Sequence, residues 1–247
     1  MAPYSSLIFS HIPKCGGTSM RELLYNSASK SGVSDKNIYI PGYNGLKIDR
    51  NPIQLNSFQL KAFHKLEIKV AGMHVPYNSH ETYPSFGNHP LYFTLFREPF
   101  ERFLSHYYFF YYRQGADGYK GTHLSDLPTE ERTKLIYNLR NLYTSYIMGD
   151  VKSGLYDDVN LLTQLKNSLR NSNYVYGLLS DVTTALDNLS SQLPSWISII
   201  ADLPKVNVHN FSSTYENEIS DELREEFTRY NELDLRLYDH IVESLST

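Results

Sequence analysis

Lys14 is followed directly by Cys15, Gly16, Gly17, Thr18 and Ser19, between a short apolar run, Leu7 to Phe9, and a helix-compatible segment that begins at Met20. Strand, tight loop and helix in that order build an anion site from main-chain atoms. The first turn of a helix has N–H groups without intrahelical acceptors, at the positive end of the macrodipole. Gly16 and Gly17 let the backbone curl with its N–H groups inward, Lys14 adds a full positive charge, and Thr18 and Ser19 add hydroxyl donors. A glycine pair alone is as often an ordinary turn; a lysine and two hydroxyls around it point to a phosphate cradle.

A second basic group stands at another strand end. Leu91 to Phe96 is the strongest strand pattern in the chain, and Arg97 follows it. Pro99 suits the first turn of a helix in which Phe100, Phe103, Leu104, Tyr107, Tyr108 and Tyr111 recur at helical spacing and are expected to face the core. Arg102 and Ser105 then fall together on the other side, with Arg102 read as solvated or salt-bridged. A third element, Ile68 to His74, reads as a strand stopped by Pro76, which puts His74 at a strand end. In an open parallel sheet the carboxyl ends of strands form one ligand-binding rim.

The cradle is not that of a nucleotide triphosphatase. That loop places its lysine directly before the Mg²⁺-binding hydroxyl, and a second strand supplies an Asp for the metal. The chain contains no Gly-Lys-Ser or Gly-Lys-Thr, and its best later strand ends in arginine. No His, Cys, Asp or Glu cluster has metal-ligand spacing, so no metal is expected.

P-K-x-G-G-T-S after a strand, then a strand and R-x-P-x-x-R-x-x-S, resembles the cytosolic and Golgi sulfotransferases, nearest to the branch of the heparan sulfate 2-O-sulfotransferases and related bacterial enzymes. Weaker similarity extends over most of the chain, including its C-terminal third. The resemblance implies transfer of a sulfuryl group from 3′-phosphoadenosine 5′-phosphosulfate (PAPS) to an acceptor hydroxyl, leaving adenosine 3′,5′-bisphosphate (PAP). It implies that Lys14, Cys15, Gly16, Gly17, Thr18 and Ser19 hold the 5′-phosphosulfate, with Lys14 also neutralising the leaving phosphate. Arg97 and Ser105 would hold the 3′-phosphate. His74 matches the histidine of a G-x-H-type segment and would take the acceptor proton, with His80 and Glu81 as substitutes. The 203–213 loop would fold over the nucleotide, with His209 and Ser212, and also Lys205, Asn207 and Ser213, as donors. The family usually has Asp where Glu98 stands, which leaves the local helix cap open. Two rival readings stay beside this one: a P-loop kinase or NTPase, and a nucleotide- or glycan-binding module without chemistry.

Alternating strand and helix patterns point to an α/β chain, a P-loop-like three-layer fold with a central, mainly parallel sheet flanked by helices. Its 247 residues, 41% of them hydrophobic, fit a single domain spanning 1–247. Tyr25 to Lys65 is a polar excursion containing a short strand, Ile38 to Ile40, and Tyr112 to Asp126 is a glycine-containing loop. Leu135 to Ile147 reads as one amphipathic helix ending near Gly149. Val159 to Leu169 and Val182 to Leu193 are further helices, with a strand at Tyr174 to Leu178 between them. Ser220 starts a last helix, whose stripe of Leu223, Phe227, Tyr230, Leu233, Leu237, Ile241 and Leu245 reads as packing alone.

A net charge of −4 excludes bulk attraction to nucleic acid or anionic membranes. The resemblance implies a sugar hydroxyl as acceptor, with small-molecule, lipid and polyketide hydroxyls left open; the loops carry no dense basic stripe for a long polyanionic glycan, which keeps a less charged acceptor beside it. Cys15 is the only cysteine, which excludes an internal disulfide and fits a reducing compartment. It reads as a small residue in a Thr-like position rather than a catalytic thiol, and its alkylation is expected to obstruct the cradle. The start has no signal-peptide pattern and no run approaches a membrane span, so a cytoplasmic location is expected; the alternative is the Golgi lumen, after loss of an N-terminal anchor. Of two sequons, at Asn188 and Asn210, the second would put a glycan on the nucleotide loop.

Overall fold

The computed structural model describes residues 4–41, 60–61, 63–148, 159–200 and 219–246. At its centre is β1 (Ser6–Ser10), buried at every position. A strand covered on both faces reads as a continuous run rather than an alternation, as Leu7-Ile8-Phe9 does. β2 (Ile38–Tyr39), β3 (Val70–Met73), β4 (Pro90–Phe96) and β5 (Tyr174–Leu178) complete a five-stranded sheet in the order β2-β3-β1-β4-β5. Every pairing is parallel.

Register decides what can meet. β1 lies between β3 and β4, with Ser10 opposite Met73 and Phe9 opposite Phe93. The chain leaving β1 toward Lys14, the residue after β3, His74, and the residue after β4, Arg97, therefore emerge side by side at the carboxyl edge.

Alternate residues along each strand feed two cores. Leu7, Phe9, Val70 and Phe93 pack with Met20, Leu23 and Leu24 of α1 (Gly17–Lys30) and with Ala185 and Leu189 of a later helix, Val182–Gln192. Ile8, Ala71, Tyr92 and Phe96 pack on the opposite face with Tyr143, Leu165, Leu237 and Ile241. Helix, sheet and helix make three layers.

α2 is a single turn, Ser79–Thr82. α3 (Pro99–His106) starts with Pro99 in its first turn, and the Glu98 carboxylate accepts from the Glu101 N–H at 2.7 Å. Glutamate thus makes the cap that the family's usual aspartate would make. After His106 the chain widens into a π-helical stretch, Tyr107–Arg113, followed by short 3₁₀ turns at Ala116–Gly118 and Leu124–Asp126. Phe100, Phe103, Leu104, Tyr107 and Tyr108 are buried as expected, but Tyr111 is only partly so, because the wider turn rotates it off the α-helical stripe.

Two expectations need correction. Arg102 is neither solvated nor salt-bridged: it is 0% exposed, Nη2 donates to the Leu139 carbonyl at 3.2 Å, and Nε and Nη1 have no partner. Ser105 is also buried, because α3 is covered on more than the one side that its apolar stripe marks. Leu135 to Ile147 is not one helix but two, α4 (Thr129–Asn138) and α5 (Leu142–Met148), with Asn141 between them at φ 44°. The cause lies across the molecule. α6 (Val159–Leu169) and α7 (Val182–Gln192) precede the last helix, α8 (Asp221–Leu245), which breaks its own geometry at Asn231, φ −123°. The Asn141 N–H donates to Asn231 Oδ1 at 3.0 Å, and the Asp234 N–H donates to Asn141 Oδ1 at 3.2 Å. Each interruption supplies the hydrogen bonds that the other has lost. The kink also turns Asn231 and Asp234 inward, and both are 1% exposed, whereas Tyr230 is only partly buried.

Candidate functional site

The turn after β1 is built from left-handed backbone. Lys14 has φ 70° and Gly16 φ 76°. A non-glycine residue there carries roughly 1–2 kcal/mol of steric cost, and such conformations cluster at functional sites. The two glycines serve different needs. A Cβ on Gly16 would lie 2.6 Å from Leu179 Cδ1, while one on Gly17 would lie 1.7 Å from Nε2 of His11. Gly17 is bare because the His11 imidazole rests on it. The first intrahelical bond of α1 runs from Met20 N–H to the Gly16 carbonyl at 3.1 Å, so the N–H groups of Gly17, Thr18 and Ser19 lie ahead of it. Thr18 is exposed and Ser19 partly so.

Cys15 lies beneath the turn. Its N–H donates to the Ile12 carbonyl at 3.2 Å, and its side chain is 0% exposed. Burial pushes the thiol up to about 11. Sγ lies 3.8 Å from Tyr143 Oη.

Positive charge gathers above the turn. Lys14 Nζ sits 3.9 Å from the centroid of Phe109, and burial, then the charges of Arg97 and Arg113, lower its pKa to about 8. Three cations close enough to repel one another raise the local positive potential, which would favour an anion between them. Arg97 Nη2 also bonds Glu101 Oε2 at 3.1 Å, one turn into α3. Arg113 and Phe109 come from the π-helical stretch. The unbroken aromatic run Tyr107 to Tyr112, ending in arginine, was their only signal in the sequence.

On the other side of β1, the His74 ring stacks on His11, with centroids 4.3 Å apart and 29° between planes. Its Nδ1 lies 2.8 Å from the His11 carbonyl oxygen and 3.3 Å from Tyr146 Oη. A carbonyl only accepts, so the proton sits on Nδ1 and the lone pair on Nε2. Burial lowers the pKa of His74, and that of His11 falls further through burial and then the charge of His74. Both rings are neutral at pH 7. His11 stands two residues before the Pro13-Lys14 motif, and that proximity is its only signal in the sequence.

His80 is not part of this group: its N–H and its Nδ1 each lie 3.0 Å from Tyr92 Oη. Glu81 is exposed on α2. Lys205, Asn207, His209, Ser212 and Ser213 lie outside the described residues, as do the Asn210 sequon and the expected helix end at Gly149. Among the described residues no three His, Cys, Asp or Glu side chains are grouped to hold a metal, and no helix is long and apolar enough to cross a membrane.

Tyr143 ties the two junctions together. Its hydroxyl donates to the Arg97 carbonyl and accepts from the Arg97 N–H at 3.3 Å, beside Cys15.

Residues 1–143 match the family model described as Sulfotransferase family. The chain belongs to the sulfotransferase family. No curated protein matches the sequence. The part of this sulfotransferase-family chain that matches runs from the start through the cradle, His74, Arg97 and Ser105 to Tyr143. α8, which caps α5 and covers α3, lies beyond it.

Proposed function

We propose that this sulfotransferase-family chain uses PAPS as donor and moves its sulfuryl group to an acceptor hydroxyl, with His74 as general base. The observation that carries the reading is that Lys14 and Arg97, each at a strand-to-helix junction, and Arg113, from the π-helical stretch, lie close enough for their charges to repel, beside a histidine whose Nδ1 faces the His11 carbonyl. PAPS supplies an activated sulfuryl group on a bisphosphorylated nucleotide, with the 5′-phosphate as leaving group.

Lys14, with the N–H groups of Gly17, Thr18 and Ser19 and the Thr18 and Ser19 hydroxyls, holds the phosphosulfate end by charge and by helix-terminal donors. Arg97 and Ser105 hold the 3′-phosphate, the guanidinium by paired N–H groups and the hydroxyl by one more. His209 and Ser212 join this set on the resemblance. Nε2 of His74 takes the acceptor proton while Nδ1–H stays on the His11 carbonyl, so the ring does not turn as charge forms. Lys14 offsets the negative charge that develops on the leaving phosphate. In-line transfer then needs alignment more than any covalent assistance.

The acceptor is a sugar hydroxyl, on the resemblance to the 2-O-sulfotransferase branch, or a less charged hydroxyl compound. Titration with PAP in the presence of a chelator, followed by labelled PAPS with a panel of carbohydrate and small-molecule hydroxyls, tests the reading. Chelator-insensitive PAP binding and donor-dependent label transfer are expected. Binding of ATP with Mg²⁺ in preference to PAP would overturn it.

A further inference from the structure

The cradle and the Arg97 junction come from separate parts of the chain, yet a two-ended nucleotide demands a fixed distance between them. Tyr143 is the side chain that joins them. Its hydroxyl has one proton and two lone pairs. The proton goes to the Arg97 carbonyl, one lone pair receives the Arg97 N–H, and the Cys15 thiol lies at 3.8 Å. The phenol is completely buried, and burial holds its pKa well above the ordinary range, so it keeps that proton. Phe96 packs edge-on against the ring at 5.2 Å.

Tyr143 is itself held from outside. Asp234 Oδ2 accepts from the Tyr143 N–H at 2.8 Å, and Oδ1 accepts from the Thr144 N–H at 3.1 Å and from its hydroxyl at 3.0 Å. A carboxylate meets three donors there; an amide would set its own N–H₂ against one of them. The start of α5 is thereby pinned to α8, in the part of the chain beyond the family match.

We propose that Tyr143 is a positioning residue for the donor nucleotide, acting through the main chain of Arg97, and that Asp234 of α8 holds Tyr143 in register. The inference rests on the nucleotide reading above. It makes the last helix part of the donor site without touching the donor.

Calorimetric titration of PAP into wild type, Arg97→Ala, Tyr143→Phe and the double variant tests it, with steady-state KM values for PAPS and acceptor. Tyr143→Phe keeps the ring and its packing, so it is expected to fold, with a melting temperature lowered by a few degrees for the lost hydrogen bonds. It should weaken PAP about five- to tenfold, the scale of one or two lost hydrogen bonds. The PAPS KM should rise in step and the acceptor KM stay put. In the Arg97→Ala background the same change should cost less than about twofold, because the guanidinium that this main chain aims at the nucleotide is gone. Asp234→Asn should reproduce the PAP loss and not add to Tyr143→Phe; if it fails to fold, the Tyr143 and Arg97 cycle still decides. Wild-type PAP affinity in Tyr143→Phe, or an equal loss in both backgrounds, would overturn the positioning role and leave the nucleotide reading standing. Unchanged PAP affinity in Arg97→Ala would overturn both.

Discussion

The His11 carbonyl accepts a hydrogen bond from His74 Nδ1 at 2.8 Å, while the two imidazoles lie face to face with centroids 4.3 Å apart. One residue thus sets both the tautomer and the plane of the other. The proposed general base needs its lone pair on Nε2, and the neighbouring main chain puts it there.

His74→Ala should therefore cost about two to four orders of magnitude in turnover and leave PAP affinity unchanged. Burial lowers the His74 pKa, so its neutral form persists below the ordinary histidine range. The rate should stay level through neutrality and fall only as pH drops below about 6.5. A kcat/KM profile against pH checks the position of that limb; an acidic limb above 7 would point to a different base.

Lys14 makes the opposite prediction on the alkaline side. With a pKa of about 8 in the free protein, it is half neutral at that pH and mostly neutral above it, while a bound anion favours the charged form. PAP binding should take up protons near pH 8 and weaken at higher pH by at most about tenfold per pH unit, the limit for one proton. Calorimetry in two buffers of different ionisation enthalpy measures the uptake. Binding without proton uptake between pH 7.5 and 8.5 would remove Lys14 from the contact.

Cys15 should resist alkylation. Its thiol is fully buried and pushed up to about 11, so both access and thiolate are lacking in the native fold. Iodoacetamide should label it only in denaturant. Stoichiometric labelling of native protein would mean that the turn opens.

Acid should destabilise the fold through His106. Burial, then the charges of Arg102 and Lys14, lower its pKa to about 3, and its buried Nδ1 has no partner. The unfolded chain takes up this proton near 6.5 and the folded chain does not, so the unfolded state binds more protons between those values. Stability is full above about 6.5 and declines as pH falls toward about 3. Tm measured at pH 7.5, 6 and 5 should decrease, and the decrease should be shallower in His106→Gln. Equal slopes in the two proteins would exclude His106 as a source.

The strands, the cradle and Arg97 at a strand end were legible because each depends on a local pattern. A buried parallel strand needs an unbroken apolar run, a left-handed turn calls for Gly16, and Pro99 marks a helix start. Arg102 misled the reading because helical spacing locates the apolar stripe but says nothing about whether the remaining face is also covered. Arg113 and Phe109 were hidden because a π-helical stretch changes the angular step after His106, and no residue in the aromatic run announces it.

By itself, then, the sequence determined the α/β class, the glycine turn between the first strand and helix and the two basic junctions, since backbone sterics and short-range periodicity act between near neighbours. Only the tertiary structure decided that His11 would rest on Gly17 beside His74, and that Asn141, Tyr143, Asn231 and Asp234 would bind α5 to α8. Those contacts join residues far apart in the chain, and a buried Asn or Asp looks solvated until the partner that pairs with it is in place.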